Sequence, residues 1–180
     1  MKKLFVLLIS GFVFTLPVLT SAQDKAKEES SRPMPSADVK NLSGGNVNSS
    51  TFGNDGKPYI IDFWATWCKP CIEELNAIHE VYPDWQKETG VKLIAISLDD
   101  ARTMNRVAPF VNGKSWSYEN YIDPNGDFKR AMNVNMPPHT FVVNGKGEIV
   151  WQHVGFAQGN EDELYEEVKK VLAAQSPAKK

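Results

Sequence analysis

The sequence predicts one α/β domain in which helices pack on both faces of a mixed β-sheet. Two apolar runs, residues 59–64 and 92–97, are rich in β-branched and aromatic side chains and indicate central strands. A helical pattern over residues 70–87 lies between them, so the three elements form a parallel β-α-β unit. With 180 residues and 42% hydrophobic content, the chain has enough apolar surface for one buried core.

The middle of the chain continues the alternation of helices and strands. A helix is predicted around residues 103–111 and is followed by an aromatic stretch at 115–122. The Asp-Pro-Asn-Gly turn at residues 123–126 leads into a short predicted helix.

The last third of the chain predicts a hairpin and a closing helix. Apolar runs at residues 140–143 and 148–153 flank the glycine-rich segment 144–147, which favours an antiparallel pair. Beyond them, apolar residues recur at helical spacing at Leu164, Val168, Val171 and Leu172. We therefore expect an amphipathic C-terminal helix that covers the sheet.

Both ends of the chain differ from this domain, which we place at residues 38–174. Residues 1–22 combine two lysines, an apolar run and small residues up to Ala22, the pattern of a cleaved secretory signal peptide. An uncleaved membrane anchor is the alternative, although the run is short and contains Gly11 and Pro17. Residues 23–37 predict a flexible linker and residues 175–180 a disordered tail. The chain is expected in the periplasm or cell envelope.

Charge excludes one class of partner. The formal net charge is only −2, so no basic footprint for nucleic acid is present. We expect a monomer that selects protein partners by shape and chemistry.

The two cysteines of the chain, Cys68 and Cys71, carry the chemistry. A Cys-x-x-Cys pair where a strand meets a helix places the first sulfur at the helix N-terminus, which favours the thiolate. Cys68 is therefore the predicted nucleophile, and Cys71 the resolving thiol that attacks a mixed disulfide at Cys68. Pro70 suits the first helical turn, and Lys69 adds a positive charge nearby.

Three other uses of the cysteine pair are weighed against exchange chemistry. A zinc or copper site would need further ligands, for which the sequence offers His79, His139 and His153 but no second cysteine pair. Covalent haem attachment needs a histidine at position 72, where isoleucine stands. A purely structural disulfide closing so small a loop would constrain little of the unfolded chain. We predict neither a metal nor an organic cofactor.

The segment Phe63-Trp64-Ala65-Thr66-Trp67-Cys68-Lys69-Pro70-Cys71, with Glu74 and Pro138-His139-Thr140-Phe141, resembles the TlpA/ResA branch of the thioredoxin superfamily. The likeness covers roughly residues 39–172. It implies a thioredoxin-like three-layer α/β/α sandwich with a mixed central sheet and an insertion between roughly residues 99 and 135. It also implies an exported thiol-disulfide oxidoreductase that reduces protein disulfides, including those of apocytochrome c, and is re-reduced by a membrane thiol protein.

The resemblance assigns the substrate-binding residues. It places a cis-proline opposite the dithiol at Pro138, and the residue before it, Pro137, has no backbone N–H to offer a bound substrate. His139 stands where the family has threonine and is expected to titrate near the dithiol. The full predicted set is Trp67, Lys69, Pro70, Pro137, Pro138 and His139.

Two carboxyl groups complete the predicted catalytic residues. Asp62 lies in an apolar strand six residues before Cys68, where burial would raise its pKa and allow it to exchange a proton with Cys71. Glu74 lies one helical turn after Cys71 and matches an acid of the family. A solvated surface position is the alternative for Glu74.

The direction of exchange stays open at the level of sequence, because it depends on the reduction potential. A reductase is the favoured interpretation, and a protein disulfide oxidase is its nearest rival. A binding or chaperone module with an incidental dithiol is the alternative from another class. That alternative predicts that Cys68→Ser leaves cellular function intact.

Overall fold

The computed structural model of the protein describes residues 31–175. The predicted signal peptide, the linker residues 23–30 and the tail residues 176–180 lie outside this range. Among the described residues, no helix has the length and apolar content needed to cross a membrane.

One mixed sheet of eight strands forms the centre of the domain. Its strands are β1 (Arg32–Pro33), β2 (Asp38–Asn41), β3 (Asn46–Asn48), β4 (Tyr59–Trp64), β5 (Lys92–Ser97), β6 (Glu119–Ile122), β7 (His139–Val143) and β8 (Glu148–Val154). The spatial order is β1-β8-β7-β4-β5-β6-β2-β3. Strand β4 pairs in parallel with β5 and antiparallel with β7, so the predicted crossover and hairpin are both confirmed.

Four helices cover the two faces of this sheet. They are α1 (Lys69–Thr89), α2 (Val107–Lys114), α3 (Asp127–Ala131) and α4 (Asn160–Gln175). Apolar residues of α1, α2 and α4 share one buried cluster on the first face, and Phe128 of α3 belongs to the cluster on the second. The predicted three-layer α/β/α sandwich with a mixed sheet is confirmed.

Strand alternation decides which side chains reach the α1 face. In β4, Ile60 and Trp64 belong to the cluster with α1, whereas Ile61 and Phe63 belong to the opposite cluster. Asp62 lies between Ile61 and Phe63 and therefore faces α1. This parity places a carboxyl group beneath the first turns of the helix that carries the cysteines.

The ordered domain starts earlier than the sequence predicts. Arg32 and Pro33, assigned to the flexible linker, pair with β8, and the backbone N–H of Met34 donates to the carbonyl of Gly147. The β2–β3 hairpin, also not predicted, joins the other side of the sheet through β6. These strands have only two to four residues each, and although Val39 of β2 enters the core, segments this short carry little hydrophobic pattern to detect.

Candidate active site

The cysteine pair lies where β4 passes into α1. Cys68 is the N-cap residue of α1, and its sulfur accepts a hydrogen bond from the backbone N–H of Cys71 at 3.3 Å. Pro70 occupies the first turn, where its missing N–H costs nothing. The two sulfurs form a disulfide with a Cα–Cα distance of 5.3 Å. The structure thus describes the oxidised state of the predicted dithiol.

Exposure differs around the two sulfurs. Cys71 is fully buried and Cys68 is 6% exposed, whereas the neighbouring Trp67, Lys69 and Pro70 are exposed. A partner molecule can therefore approach the Cys68 side of the bond. Trp67, one of the predicted substrate-binding residues, is 62% exposed to solvent.

The charge of Lys69 is shared with a neighbour. Its Nζ lies 3.6 Å from the carboxylate of Glu73, one turn further along the exposed side of α1. This exposed pair reduces the positive potential that the lysine contributes at Cys68.

Asp62 and Glu74 meet on the α1 face through a third residue, Thr140 of β7. The Thr140 Oγ1 atom lies 2.8 Å from Asp62 Oδ2 and 2.8 Å from Glu74 Oε1. Asp62 is fully buried and Glu74 is 4% exposed, so the surface alternative for Glu74 is wrong. Glu74 follows Cys71 by one helical turn of α1, so the acid pair lies on the same part of the helix as the buried cysteine.

Burial makes both carboxyl groups weaker acids than usual. Desolvation raises the pKa of Asp62, and desolvation together with the neighbouring charge of Asp62 raises the pKa of Glu74. The hydrogen bonds from Thr140 oppose both shifts. Two acids so close together do not readily ionise at once, so the pair holds a proton at pH values where isolated carboxyl groups have lost theirs.

The segment before β7 supplies the opposite wall. The Pro137–Pro138 peptide bond is cis, as predicted for Pro138. Pro138 is buried and its carbonyl accepts a hydrogen bond from the N–H of Gly155, whereas Pro137 is half-buried. Because Phe63 pairs with His139, this segment lies at the end of the sheet where β4 leads to Cys68.

His139 does not fulfil its predicted role. Its ring stacks on Phe141 at 4.2 Å between centroids, in the cluster on the sheet face opposite α1. Burial lowers its pKa, and its Nε2 atom lies 3.3 Å from Gln152 Oε1. Because side chains alternate between the two faces along β7, Thr140 faces Asp62 and Glu74, and His139 faces the other side of the sheet. The expectation of a histidine that titrates beside the dithiol is corrected accordingly.

Sequence reasoning missed three residues of this region. Thr140 joins the two acids, and Asp99 accepts hydrogen bonds from Thr66 in the loop before Cys68 and from Ser97 at the end of β5. Met136, just before the cis-proline segment, is 62% exposed. A polar residue inside an apolar strand was an available signal for Thr140, but its partners lie 78 and 66 positions away.

Metal binding finds no support in this part of the chain. Across residues 31–175, no three histidine, cysteine, aspartate or glutamate side chains are grouped as metal ligands would be. His79 lies against Tyr118 and His139 against Phe141, so two of the candidate ligands pack separately.

Comparison with known proteins agrees with this geometry. Residues 31–152 match the model of the AhpC/TSA family. The thiol-disulfide oxidoreductase ResA of Bacillus cereus is 30% identical over 171 residues, which cover 94% of each chain.

Solved structures show the same fold. An uncharacterized thioredoxin-like protein from Porphyromonas gingivalis superposes with a TM-score of 0.72 at 46% identity, covering 81% of this chain and 95% of that one. A putative thiol:disulfide interchange protein DsbE from Chlorobium tepidum gives 0.68 at 22% identity, covering 79% and 96%. The sandwich is therefore thioredoxin-like, as the resemblance implied. Oxidoreductases of this kind use a cysteine pair in place of an external cofactor.

Proposed function

We propose that this chain, which belongs to the TlpA/ResA-like branch of the AhpC/TSA thioredoxin-like family, reduces protein disulfides in the cell envelope. It is a thiol-disulfide oxidoreductase. The proposal adds a direction, a class of substrate and a location. One observation carries it: Cys68 lies next to the exposed Trp67, while Cys71 is fully buried one helical turn before Glu74, which shares Thr140 with Asp62.

The apolar edge supports proteins as substrates. The large hydrophobic side chains that are exposed within residues 31–175 are Trp67, Met136 and Val154. Trp67 precedes Cys68, Met136 precedes the cis-proline segment, and Val154 pairs with His139 next to that segment. We call these three residues the apolar edge. A folded or unfolded polypeptide can cover it, whereas a small disulfide cannot.

The reaction proceeds in two exchanges. The Cys68 thiolate attacks one sulfur of a substrate disulfide, forms a mixed disulfide and releases the other substrate sulfur as a thiolate. Cys71 then gives its proton to a carboxylate of the acid pair and attacks the Cys68 sulfur. The second substrate thiolate leaves, and two electrons have passed from the dithiol to the substrate. A membrane dithiol protein re-reduces the disulfide seen here.

Electrostatics support the reducing direction. A strong oxidant needs a strongly stabilised thiolate in its reduced form. Here Glu73 shares the charge of Lys69, and the ionised member of the Asp62–Glu74 pair adds one negative charge near Cys71. The reduced dithiol is therefore a good electron donor. Apocytochrome c is one substrate consistent with the family resemblance.

The reduction potential tests the direction. Equilibration with glutathione or dithiothreitol buffers is expected to give a value near or below about −250 mV, in the range of thioredoxin. A value near about −120 mV, typical of strong oxidants, would contradict the reductase and favour the oxidase. Normal cellular function of Cys68→Ser would instead support the binding or chaperone alternative.

A further inference from the structure

The Thr140 hydroxyl lies between the two acids, and this bridge restricts how many protons the pair can hold. A hydroxyl group has one proton to donate, yet Thr140 Oγ1 lies at hydrogen-bond distance from both Asp62 Oδ2 and Glu74 Oε1. It can donate to only one of them. The other contact is a hydrogen bond only if that carboxyl group is protonated and donates to the hydroxyl oxygen.

The other oxygens of the two acids reinforce this restriction. Asp62 Oδ1 and Glu74 Oε2 are buried and have no hydrogen-bond partner among the described residues. Thr140 is therefore the shared partner of the pair. An ionised carboxylate depends on the threonine proton, and a second ionised carboxylate would have no donor there.

We propose that Thr140 is a positioning residue that keeps the Asp62–Glu74 pair in a one-proton state, with one carboxylate free to accept the proton of Cys71. In this state the Glu74 carboxylic acid donates to the Thr140 oxygen, and the Thr140 hydroxyl donates to the Asp62 carboxylate. This role adds a detail to the proposed exchange reaction. It rests on that reaction only for the step in which Cys71 loses its proton.

The proton balance of the resolving step follows from this arrangement. The S–H bond of Cys71 breaks, and its proton forms an O–H bond on the ionised carboxyl group of the pair. The electron pair left on sulfur forms the bond to Cys68, and the substrate thiolate leaves with the electrons of the mixed disulfide. The pair, now with two protons, returns one to water or to the departing thiolate.

Other titratable groups around Thr140 do not replace this function. Glu161 of α4 raises the pKa of Glu74 by its charge, and Tyr118 and Tyr82 have pKa values raised by burial, so they stay neutral. His153 of β8 pairs with Thr140 in the strand register. In the oxidised protein the cysteines do not titrate, so the acid pair can be followed separately from them.

The test compares two substitutions at one position. Thr140→Val removes the hydroxyl but keeps a β-branched side chain suited to the strand, and Thr140→Ser keeps the hydroxyl. Carboxyl carbon NMR of the oxidised protein follows the ionisation of Asp62 and Glu74 directly. In Thr140→Val the first ionisation of the pair should rise by about one to two pH units, because a hydrogen bond to the charged form is lost. Thr140→Ser should titrate like the wild type.

The same variants should also differ in the rate of the resolving step. Near neutral pH the resolving step of Thr140→Val should slow by about tenfold or more and recover at higher pH, because the base is then ionised again. Thr140→Ala, which also lacks the hydroxyl, should show the same titration if the valine variant does not fold.

Three results would overturn the proposal: an unchanged first ionisation in Thr140→Val and Thr140→Ala, a serine variant shifted as far as valine, or an equal slowing at every pH. The NMR titration needs no substrate. It therefore distinguishes failure of the threonine bridge from failure of the proposed reductase, which the reduction potential reports.

Discussion

The carboxyl group of Asp99 accepts hydrogen bonds from both the backbone N–H and the hydroxyl of Thr66, at 2.8 and 2.6 Å. Asp99 is fully buried after β5, and Thr66 lies two residues before Cys68. The Ser97 hydroxyl donates to the same carboxyl group at 2.8 Å. The loop that carries the nucleophile is thus fixed to the neighbouring strand, and the position of the helix N-terminus depends on it.

Asp99→Ala should therefore weaken both the fold and the reaction. Loss of the shared acceptor leaves several donors in a buried site without a partner, and the free energy of unfolding should fall by about 1.5–3 kcal/mol. Exchange should also slow, because the loop no longer holds Cys68 at the helix N-terminus. Urea denaturation and exchange kinetics measure the two effects. Ser97→Ala is the control: it removes the Ser97 hydroxyl, which donates to the Asp99 carboxyl group and accepts from the Asp99 N–H, but it keeps both bonds from Thr66 and should cost less, about 1 kcal/mol. An Asp99→Ala protein with wild-type kinetics would exclude the positioning role.

The local chemistry of the site could be predicted from sequence because its signals are local. The Cys-x-x-Cys spacing, the proline in the first helical turn and the acid within an apolar strand all lie within 13 residues, from Asp62 to Glu74. The alternation of apolar runs predicted the crossover and the hairpin for the same reason. These features need no knowledge of which strands become neighbours.

Contacts across the sheet could not be predicted in this way. The partners of Thr140 and Asp99 depend on strand register, and a shift of one residue along β7 would turn Thr140 away from the acids and His139 toward them. The error at His139 is of this kind, because family position alone does not fix the face of a strand. The early start of the domain at Arg32 was missed because a two-residue edge strand has no period.

The buried acids should make stability depend on pH. Burial raises the pKa of Asp62 from 3.8 to about 7, so between these values the unfolded chain loses a proton that the folded protein keeps. The contribution of this group to stability is full below about pH 4 and is lost as the pH rises through 7. Asp62→Asn should therefore gain stability relative to the wild type with rising pH, by about 1 kcal/mol or more at pH 8.

Urea denaturation of the oxidised proteins between pH 4 and pH 9 measures this difference. Asp100→Asn serves as a control of opposite sign. Its pKa is lowered, mainly by the hydrogen bond from Arg102, so its removal should not give a gain that grows with pH. Parallel curves for Asp62→Asn and the wild type would show that Asp62 is not the titrating group.

The apolar edge should contribute to substrate affinity rather than to chemistry. Trp67→Ala and Met136→Ala should each raise KM for a protein disulfide by roughly fivefold to thirtyfold, the effect of losing an interfacial anchor worth about 1–2 kcal/mol. Their rates with a small aromatic disulfide should stay near wild type, because such a molecule does not cover the edge. Lys146→Ala, in the hairpin at the opposite end of β7, should change neither value. Unaltered KM in both edge variants would place the docking surface elsewhere.

Removal of the resolving thiol should trap the physiological partner. In Cys71→Ala the mixed disulfide at Cys68 has no thiol to resolve it, so a covalent complex should accumulate in cells and dissociate on reduction. Cys68→Ala is the matched control: its remaining thiol is fully buried, away from the exposed side of the site, and should trap little. Identification of the captured protein in the envelope fraction then separates cytochrome maturation from general disulfide reduction. If neither variant yields a reducible adduct while both retain biological activity, disulfide exchange is not the cellular role of this chain.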